Sequence, residues 1–294
     1  MDLEAAHARL AALEGDGALH DVDNLRSRIS ALNFLAEIAD YAEWRPPSER
    51  WATLLPRAQA LRQGLTALNE QLFGVLREYI RAGRYSPADL RQRFDQYTDY
   101  TPAQKGSLHS GPDQLDVLLD GVLGLTTPAA YLQPMPPEMN PYEPTPARAV
   151  LDLVDQAAWD AQDVFYDLGS GLGRVVILVH LLTGLATKGV EIDPALCEYA
   201  RQAAQRLQLG GIEFIQRDVR EVDYSQGTVF FLFTPFKASL WRAVLDMLRQ
   251  EGRHRRISLC TYGPCTFEAA RESWLHSLID AAPHNYRIAV FQSR

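Results

Sequence analysis

The residues with the most chemical potential stand together in one stretch, Asp167-Leu168-Gly169-Ser170-Gly171-Leu172-Gly173-Arg174, between two apolar runs. Glycines there permit tight turns and let a ligand approach the main chain. The dinucleotide pattern G-x-G-x-x-G is not met. Counted from Gly169 its third glycine falls on Arg174, and counted from Gly171 it falls on Val176. Asp167 sets a carboxylate at the mouth of the loop, where it repels a pyrophosphate and attracts an ammonium or sulfonium cation. S-adenosylmethionine carries both cations and no phosphate. A purely structural glycine turn is the competing reading.

Two further acids recur at matching places. Glu191 stands at the expected end of the next strand, within GVEIDP, where a carboxylate can accept both hydroxyls of a ribose. Asp218 closes the expected strand that follows, within IEFIQRDV, where it can accept from an adenine amino group while Val219 packs near the ring. Alone, each reads as an exposed acid or a helix cap. Their register with the glycine loop makes them a set.

The elements that must hold this set alternate. From residue 147 the order is helix (ARAVLDLVDQA), strand (VFYDL), glycine turn and helix (RVVILVHLL), strand (TKGVEI), helix (PALCEYARQAAQRL), strand (IEFIQRD) and strand (TVFFLF). A helix (ASLWRAVLDMLRQ), a strand (RISLCTY), a short helix around Ala269–Leu278 and a last strand (YRIAVFQ) complete it. Such alternation predicts an α/β fold, a mostly parallel sheet with helices on both faces and ligands beyond the carboxyl ends of its strands.

Before it, residues 1–125 carry apolar stripes at spacings of three and four. They run through Leu3, Ala6, Leu10 and Leu13, then Leu25, Ile29, Leu32, Ala36 and Ala39 up to Trp44 before Pro46-Pro47, then Leu61, Leu65, Leu68, Leu72, Leu76 and Tyr79. Ser86-Pro87 and Gly111-Pro112 open two more helices. The stripes predict an all-α N-terminal domain, with an acceptor-site or interaction role. The third is also long enough to dimerise as a coiled coil, a route to a homodimer. Residues 126–146 hold seven prolines, among them Pro128, Pro134 and Pro136, and form a linker or a cover over a ligand site. Tyr142, Glu143 and Thr145 equip it for the second role. The expected domains are thus 1–125, 126–146 and 147–294.

DLGSGLG, GVEID, QRDV and the strand VFFLF with its exit Thr234-Pro235-Phe236 together resemble the ordered motifs of the Rossmann-like (class I) S-adenosylmethionine-dependent methyltransferases. The resemblance covers roughly residues 140–294. It implies that Asp167, Gly169 and Gly171, with Ser170 between them, hold the methionine portion, that Glu191 binds the ribose, and that Asp218 and Val219 take the adenine. It also implies an antiparallel last strand, which suits RISLCTY beside YRIAVFQ. A finer resemblance is to the non-SET histone lysine methyltransferases, which pair DLGSG with GVE behind a helical segment. On that likeness Tyr142–Pro146 lies over the cofactor, adding Tyr142 and Thr145 to the cofactor-binding set. This chain departs from that family on the fourth strand, where Leu232-Phe233-Thr234-Pro235-Phe236 replaces an asparagine-containing motif, and it lacks the amino-methylating N/D-P-P-Y/F motif.

The expected reaction is in-line methyl transfer to an unidentified acceptor, a small molecule or a protein side chain with an N or O nucleophile. Positioning supplies most of the help. Thr234, Pro235 and Phe236 are expected to face the methyl, with Tyr262 after a later strand beside them. An ordinary strand-to-helix turn is the competing reading of the tripeptide. No base announces itself. His109, like Tyr262, reads first as a structural residue, and Tyr97 and Tyr100 either line an acceptor pocket or, equally, are surface aromatics at an interdomain seam. A non-catalytic S-adenosylmethionine-binding scaffold and an NAD-dependent dehydrogenase are the alternatives, the second disfavoured by Asp167 and Arg174.

Composition narrows the partners. At 294 residues, 47% hydrophobic and 22% charged, the chain has a globular composition and the length of about two domains. Its net charge of −8 argues against nucleic acid as partner, with Arg253, Arg255 and Arg256 the one local basic group singled out. Cys197, Cys260 and Cys265 have neither zinc-site nor disulfide-framework spacing, so no metal is expected. The start MDLEAAHARLAALEG lacks the basic flank and apolar core of a signal peptide. No apolar run approaches the ~18 residues of a membrane span. A cytoplasmic protein without membrane contact is expected.

Overall fold

The structure, a computed structural model, describes residues 2–43, 49–98, 108, 111–126, 137–233 and 236–294. Trp44, Pro46, Pro47, Tyr100, His109, Pro128, Pro134, Pro136, Thr234 and Pro235, all named above, lie outside the described residues.

The apolar stripes become helices α1 (Leu3–Glu14), α2 (Leu25–Glu43) and α3 (Glu49–Arg81). Helix α3 belongs to two cores. Its Leu54, Ala58 and Leu65 pack with Leu10, Phe34, Leu35 and Ile38 in a small all-helical core. Its Leu72, Leu76 and Ile80 instead join the large core that continues under the sheet, together with Val176, Ile177 and Phe165. Apolar burial therefore runs without a break from the helical region into the α/β region.

Local signals set the next helices. Ser86 caps α4 (Pro87–Asp95): its Oγ accepts the Asp89 N–H at 3.1 Å, and the Asp89 carboxylate accepts the Ser86 N–H at 2.9 Å. Asp113 caps α5 (Gln114–Leu123) in the same reciprocal way with Asp116, whose Oδ2 accepts the Asp113 N–H at 2.8 Å. Such boxes satisfy donors that the first turn leaves unpaired. Helix α6 (Ala147–Gln156) leads into the sheet.

The sheet has seven strands in the order β3-β2-β1-β4-β5-β7-β6. They are β1 (Val164–Leu168), β2 (Ala186–Glu191), β3 (Ile212–Gln216), β4 (Val229–Phe233), β5 (Ser258–Tyr262), β6 (Leu275–Ser277) and β7 (Ala289–Ser293). The pairs β1–β2, β2–β3, β1–β4 and β4–β5 are parallel, while β7 runs antiparallel to both neighbours. Helices α7 (Arg174–Thr183), α8 (Pro194–Arg206), α9 (Ala238–His254) and the short α10 (Cys265–Ala269) join them. Both sheet faces are covered: Phe231 of β4 enters the large core, while Phe230 and Leu232 enter a second core with Leu240, Val244 and Leu248 of α9. The Rossmann-like reading and the antiparallel last strand are borne out. The strand order reverses between β1 and β4, which opens a crevice at their carboxyl ends.

One expected element is corrected. The helix expected around Ala269–Leu278 is replaced by α10, which ends at Ala269, and by the edge strand β6. Ala270, Trp274 and Leu278 mimic helical spacing, but a three-residue strand is too short to display its own alternation. Pairing of Ser277 with Phe291 and of Leu275 with Ser293 decides the segment.

Among the described residues no helix is long and apolar enough to cross a membrane. No group of three or more His, Cys, Asp or Glu residues suited to a metal ion occurs among them.

Candidate functional site

The glycine loop turns between β1 and α7 with the backbones of Gly169 and Ser170 both donating to the Val190 carbonyl, at 2.9 and 3.0 Å. Gly171 sits at φ +53°, and a Cβ there would lie 2.2 Å from Cε2 of Tyr142. The requirement for glycine is thus double: a left-handed backbone and a ring lying directly on the Cα. Tyr142 is therefore a cover over the glycine loop.

Glu191, at the end of β2, is 6% exposed. Its Oε2 accepts the Gly171 N–H and its Oε1 the Asp193 N–H, each at 2.8 Å. Burial raises its pKa, and those backbone donors oppose the rise. Asp167 is 3% exposed and shifted well above the ordinary carboxylate range by burial and by the Glu191 charge. Two buried carboxyl groups at the loop, with no basic side chain hydrogen-bonded to either among the described residues, make an electrostatic site that wants a cation. Burial also pushes the Tyr142 hydroxyl up to about 12, so the cover stays neutral.

A cavity of about 550 Å3 opens beside Glu191, within the range of small-molecule sites, and Asp167, Ser170 and Gly171 are not among its lining residues. Gly169, Glu191, Tyr142, Asp218 and Val219 are among its lining residues. Phe233 and Phe236 provide an aromatic wall. The cover crosses the cavity as a strap. Met139 bridges Phe236 in antiparallel fashion, the Lys237 N–H donates to the Glu138 carbonyl at 2.8 Å, and Ser239 Oγ donates to the Glu138 carboxylate.

The other candidate residues take distinct places. Asp218 accepts Nη2 of Arg220 at 2.6 Å and Nε at 3.0 Å, which lowers its pKa, so it lines the cavity as half of an ion pair. Ser170 Oγ is buried without a partner among the described residues, and a Cβ at Gly189 would lie 2.6 Å from it. It serves the close approach of loop to strand. Thr145 is buried away from the cavity wall, its carbonyl accepting Nη1 of Arg174 at 2.8 Å. Tyr262 is buried, edge-on to Phe233 with ring centroids 5.0 Å apart, and its hydroxyl is pushed up to about 12 by burial. Tyr97 is buried in the large core and donates to Asp23 at 3.3 Å, away from the cavity.

Sequence reasoning missed Phe233, Met139 and the Asp218–Arg220 pair as cavity features. Spacing could have found Arg220, two residues from an acid in a loop. Nothing local marks Met139, because its bridge partner is 97 positions away in the chain (236 − 139).

Residues 139–231 match the family model described as histone methylation protein DOT1. The matched span includes the cover from Met139, the glycine loop, Glu191, Asp218 and most of β4. A protein-lysine N-methyltransferase of Saccharolobus islandicus (strain REY15A) is 32% identical over 98 residues, 32% of this chain. The chain spans 59% of that relative's length. An RNA methyltransferase from Salinibacter ruber, solved with S-adenosyl-L-homocysteine, is similar at 28% identity over 51% of this chain and 92% of its own, with a TM-score of 0.39. A ribosomal protein L11 methylase from Lactobacillus delbrueckii subsp. bulgaricus is similar at 15% identity over 50% of this chain and 77% of its own, with a TM-score of 0.39. The resemblance to the non-SET methyltransferases is borne out by the family match.

The residues present fit S-adenosylmethionine. The cavity has the volume for one nucleoside-sized ligand, the buried acids favour a cation, and the glycine loop is covered by a ring instead of being open to a phosphate.

Proposed function

We propose that the protein is an S-adenosylmethionine-dependent methyltransferase acting on an amine, with the side chain of a protein lysine as acceptor. The observation that carries the methyltransferase reading is the buried pair Asp167 and Glu191 at the glycine loop, beside a cavity walled by Phe233 and Phe236. The lysine reading draws on the name of the Saccharolobus islandicus relative and on the DOT1 match. When bound, S-adenosylmethionine supplies a methyl group already activated by a sulfonium.

The chain's own residues then divide the work. Asp167 offers its carboxylate to the ammonium of the methionine portion, and Glu191 keeps lone pairs for ribose hydroxyls beyond its two backbone bonds. Val219 packs against the base, with Asp218 beside it held by Arg220. The rings of Phe233 and Phe236 exclude water and guide the acceptor. An amine needs only its lone pair, whereas a hydroxyl usually needs a base. Tyr262, pushed up to about 12, holds its proton near neutrality and packs against Phe233 without lining the cavity, so it is support, not base. The acidic balance of the chain suits a cationic acceptor over nucleic acid.

The test is methyl transfer from radiolabelled S-adenosylmethionine to a lysine-containing peptide library, with the same library carrying arginine at every lysine as control. Label as methyl-lysine, absent from the control, is expected. Label confined to RNA or to a small hydroxylated acceptor overturns the lysine reading, and calorimetry showing no binding of S-adenosylhomocysteine overturns the whole.

A further inference from the structure

Arg174 opens helix α7 immediately after the glycine loop, a place where a cation opposes the helix dipole. It is 5% exposed, and among the described residues its two terminal nitrogens find partners while its Nε has none. Nη1 donates to the Asp116 carboxylate and, at 2.8 Å, to the Thr145 carbonyl, while Nη2 donates to Asp120. Asp116, 3% exposed, also accepts the Ala147 N–H at 2.9 Å. One guanidinium therefore joins three pieces of chain: α5 of the helical region, the strap that carries Tyr142, and the helix that begins at the loop.

We propose that Arg174 and Asp116 are positioning residues for the cofactor site, and that through them α5 holds the strap so that Tyr142 stays on Gly171. Neither residue lines the cavity. Their reach is indirect but short: Thr145 and Ala147 follow Tyr142 by three and five positions, and Arg174 follows Gly171 by three. A buried guanidinium flanked by two carboxylates fixes direction as well as charge, because its planar fork accepts partners only along set lines. The helical region thus shapes the affinity of the cofactor cavity as well as any acceptor surface. This inference rests on the methyltransferase reading.

The test compares the full-length wild type with Asp116→Asn, Arg174→Lys and, as a stability control, Leu65→Ala in the distant helical core. Binding of S-adenosylhomocysteine by calorimetry and hydrogen exchange at the Ala147 amide are measured on each. Asp116→Asn is expected to weaken binding at least tenfold and to speed Ala147 exchange. Arg174→Lys, which keeps the charge but loses the fork, should fall between it and the wild type. Leu65→Ala should lower thermal stability yet bind within twofold of wild type. Where Asp116→Asn does not fold, Arg174→Lys carries the same comparison. Binding by a folded Asp116→Asn or Arg174→Lys protein equal to wild type overturns the inference alone, and so does equal loss in Leu65→Ala. Wild-type protein that fails to bind overturns the methyltransferase reading as well.

Discussion

Replacing Gly171 by alanine separates two effects that the structure superposes. At φ +53° a non-glycine residue costs roughly 1–2 kcal/mol in backbone strain. The added Cβ would also stand 2.2 Å from the Tyr142 ring, where ordinary contact begins at 3.4 Å, so the ring must withdraw by 1.2 Å (3.4 − 2.2) or the strap must lift. Uncovering on the order of 50–100 Å2 of apolar surface costs about 1–2.5 kcal/mol. Gly171→Ala should therefore destabilise by roughly 2–4.5 kcal/mol in the wild-type background. With the ring gone, in Tyr142→Ala, only the strain of about 1–2 kcal/mol is left. Urea denaturation of the four proteins of this cycle gives the coupling, expected at about 1–2.5 kcal/mol. Calorimetry with S-adenosylhomocysteine should follow it, with Gly171→Ala binding more weakly than the strain alone explains. A coupling below about 0.5 kcal/mol would refute the reasoning, because Tyr142 would then not be resting on the loop.

Three further outcomes are expected. Glu191→Gln keeps the shape but turns an amide toward one of the two backbone N–H groups, so affinity for S-adenosylhomocysteine should fall by about 1.5–3 kcal/mol, the scale of hydrogen bonds to a charged group; binding within twofold of wild type in calorimetry would contradict this. Asp167 and Glu191 have folded-state pKa values above the ordinary 3.8 and 4.5, so their contribution favours the folded state below those values and is lost as pH rises through the raised ones. A ligand ammonium favours ionised Asp167, hence binding should release protons at pH values above 3.8, seen as a dependence of the calorimetric heat on buffer ionisation enthalpy. Phe236→Leu, which keeps apolar volume in the second core, should leave cofactor affinity within threefold yet cut turnover about tenfold, or about 1.4 kcal/mol of barrier; unchanged turnover would assign Phe236 to packing.

What the sequence displays best is contiguous. The run from Asp167 to Gly173 is legible because a strand end, a turn and a helix start fall within seven consecutive residues, and Ser86-Pro87 because a capping box is local. Glu191 and Val219 follow from strand ends, since a parallel sheet brings those ends to one edge. What stays hidden depends on partners far along the chain. Asp116 reads as a cap for its own helix, and its bonds to Ala147 and Arg174 span 31 and 58 positions. Asp218 is legible as a cavity acid, yet its engagement depends on the rotamer of Arg220. The expected boundary at residue 125 rests on a change of pattern, and pattern carries no information on whether two regions share a core. Leu118 and Val122 on one side and Val176 and Leu178 on the other lie in the same core.

That shared core sets the order in which the protein can be made. Asp116 leaves the ribosome 58 residues before Arg174, an interval of about 3–12 s at 5–20 residues per second. Throughout it a carboxylate destined for burial has no guanidinium, and Leu115, Leu118, Leu119 and Val122 lack the later helices and strands that share their core. The nascent helical region can complete its small core around Leu35 and Leu54 at once, while its larger apolar face waits for synthesis of the glycine loop. Slowing translation between residues 126 and 174 would lengthen the time that this face stays uncovered.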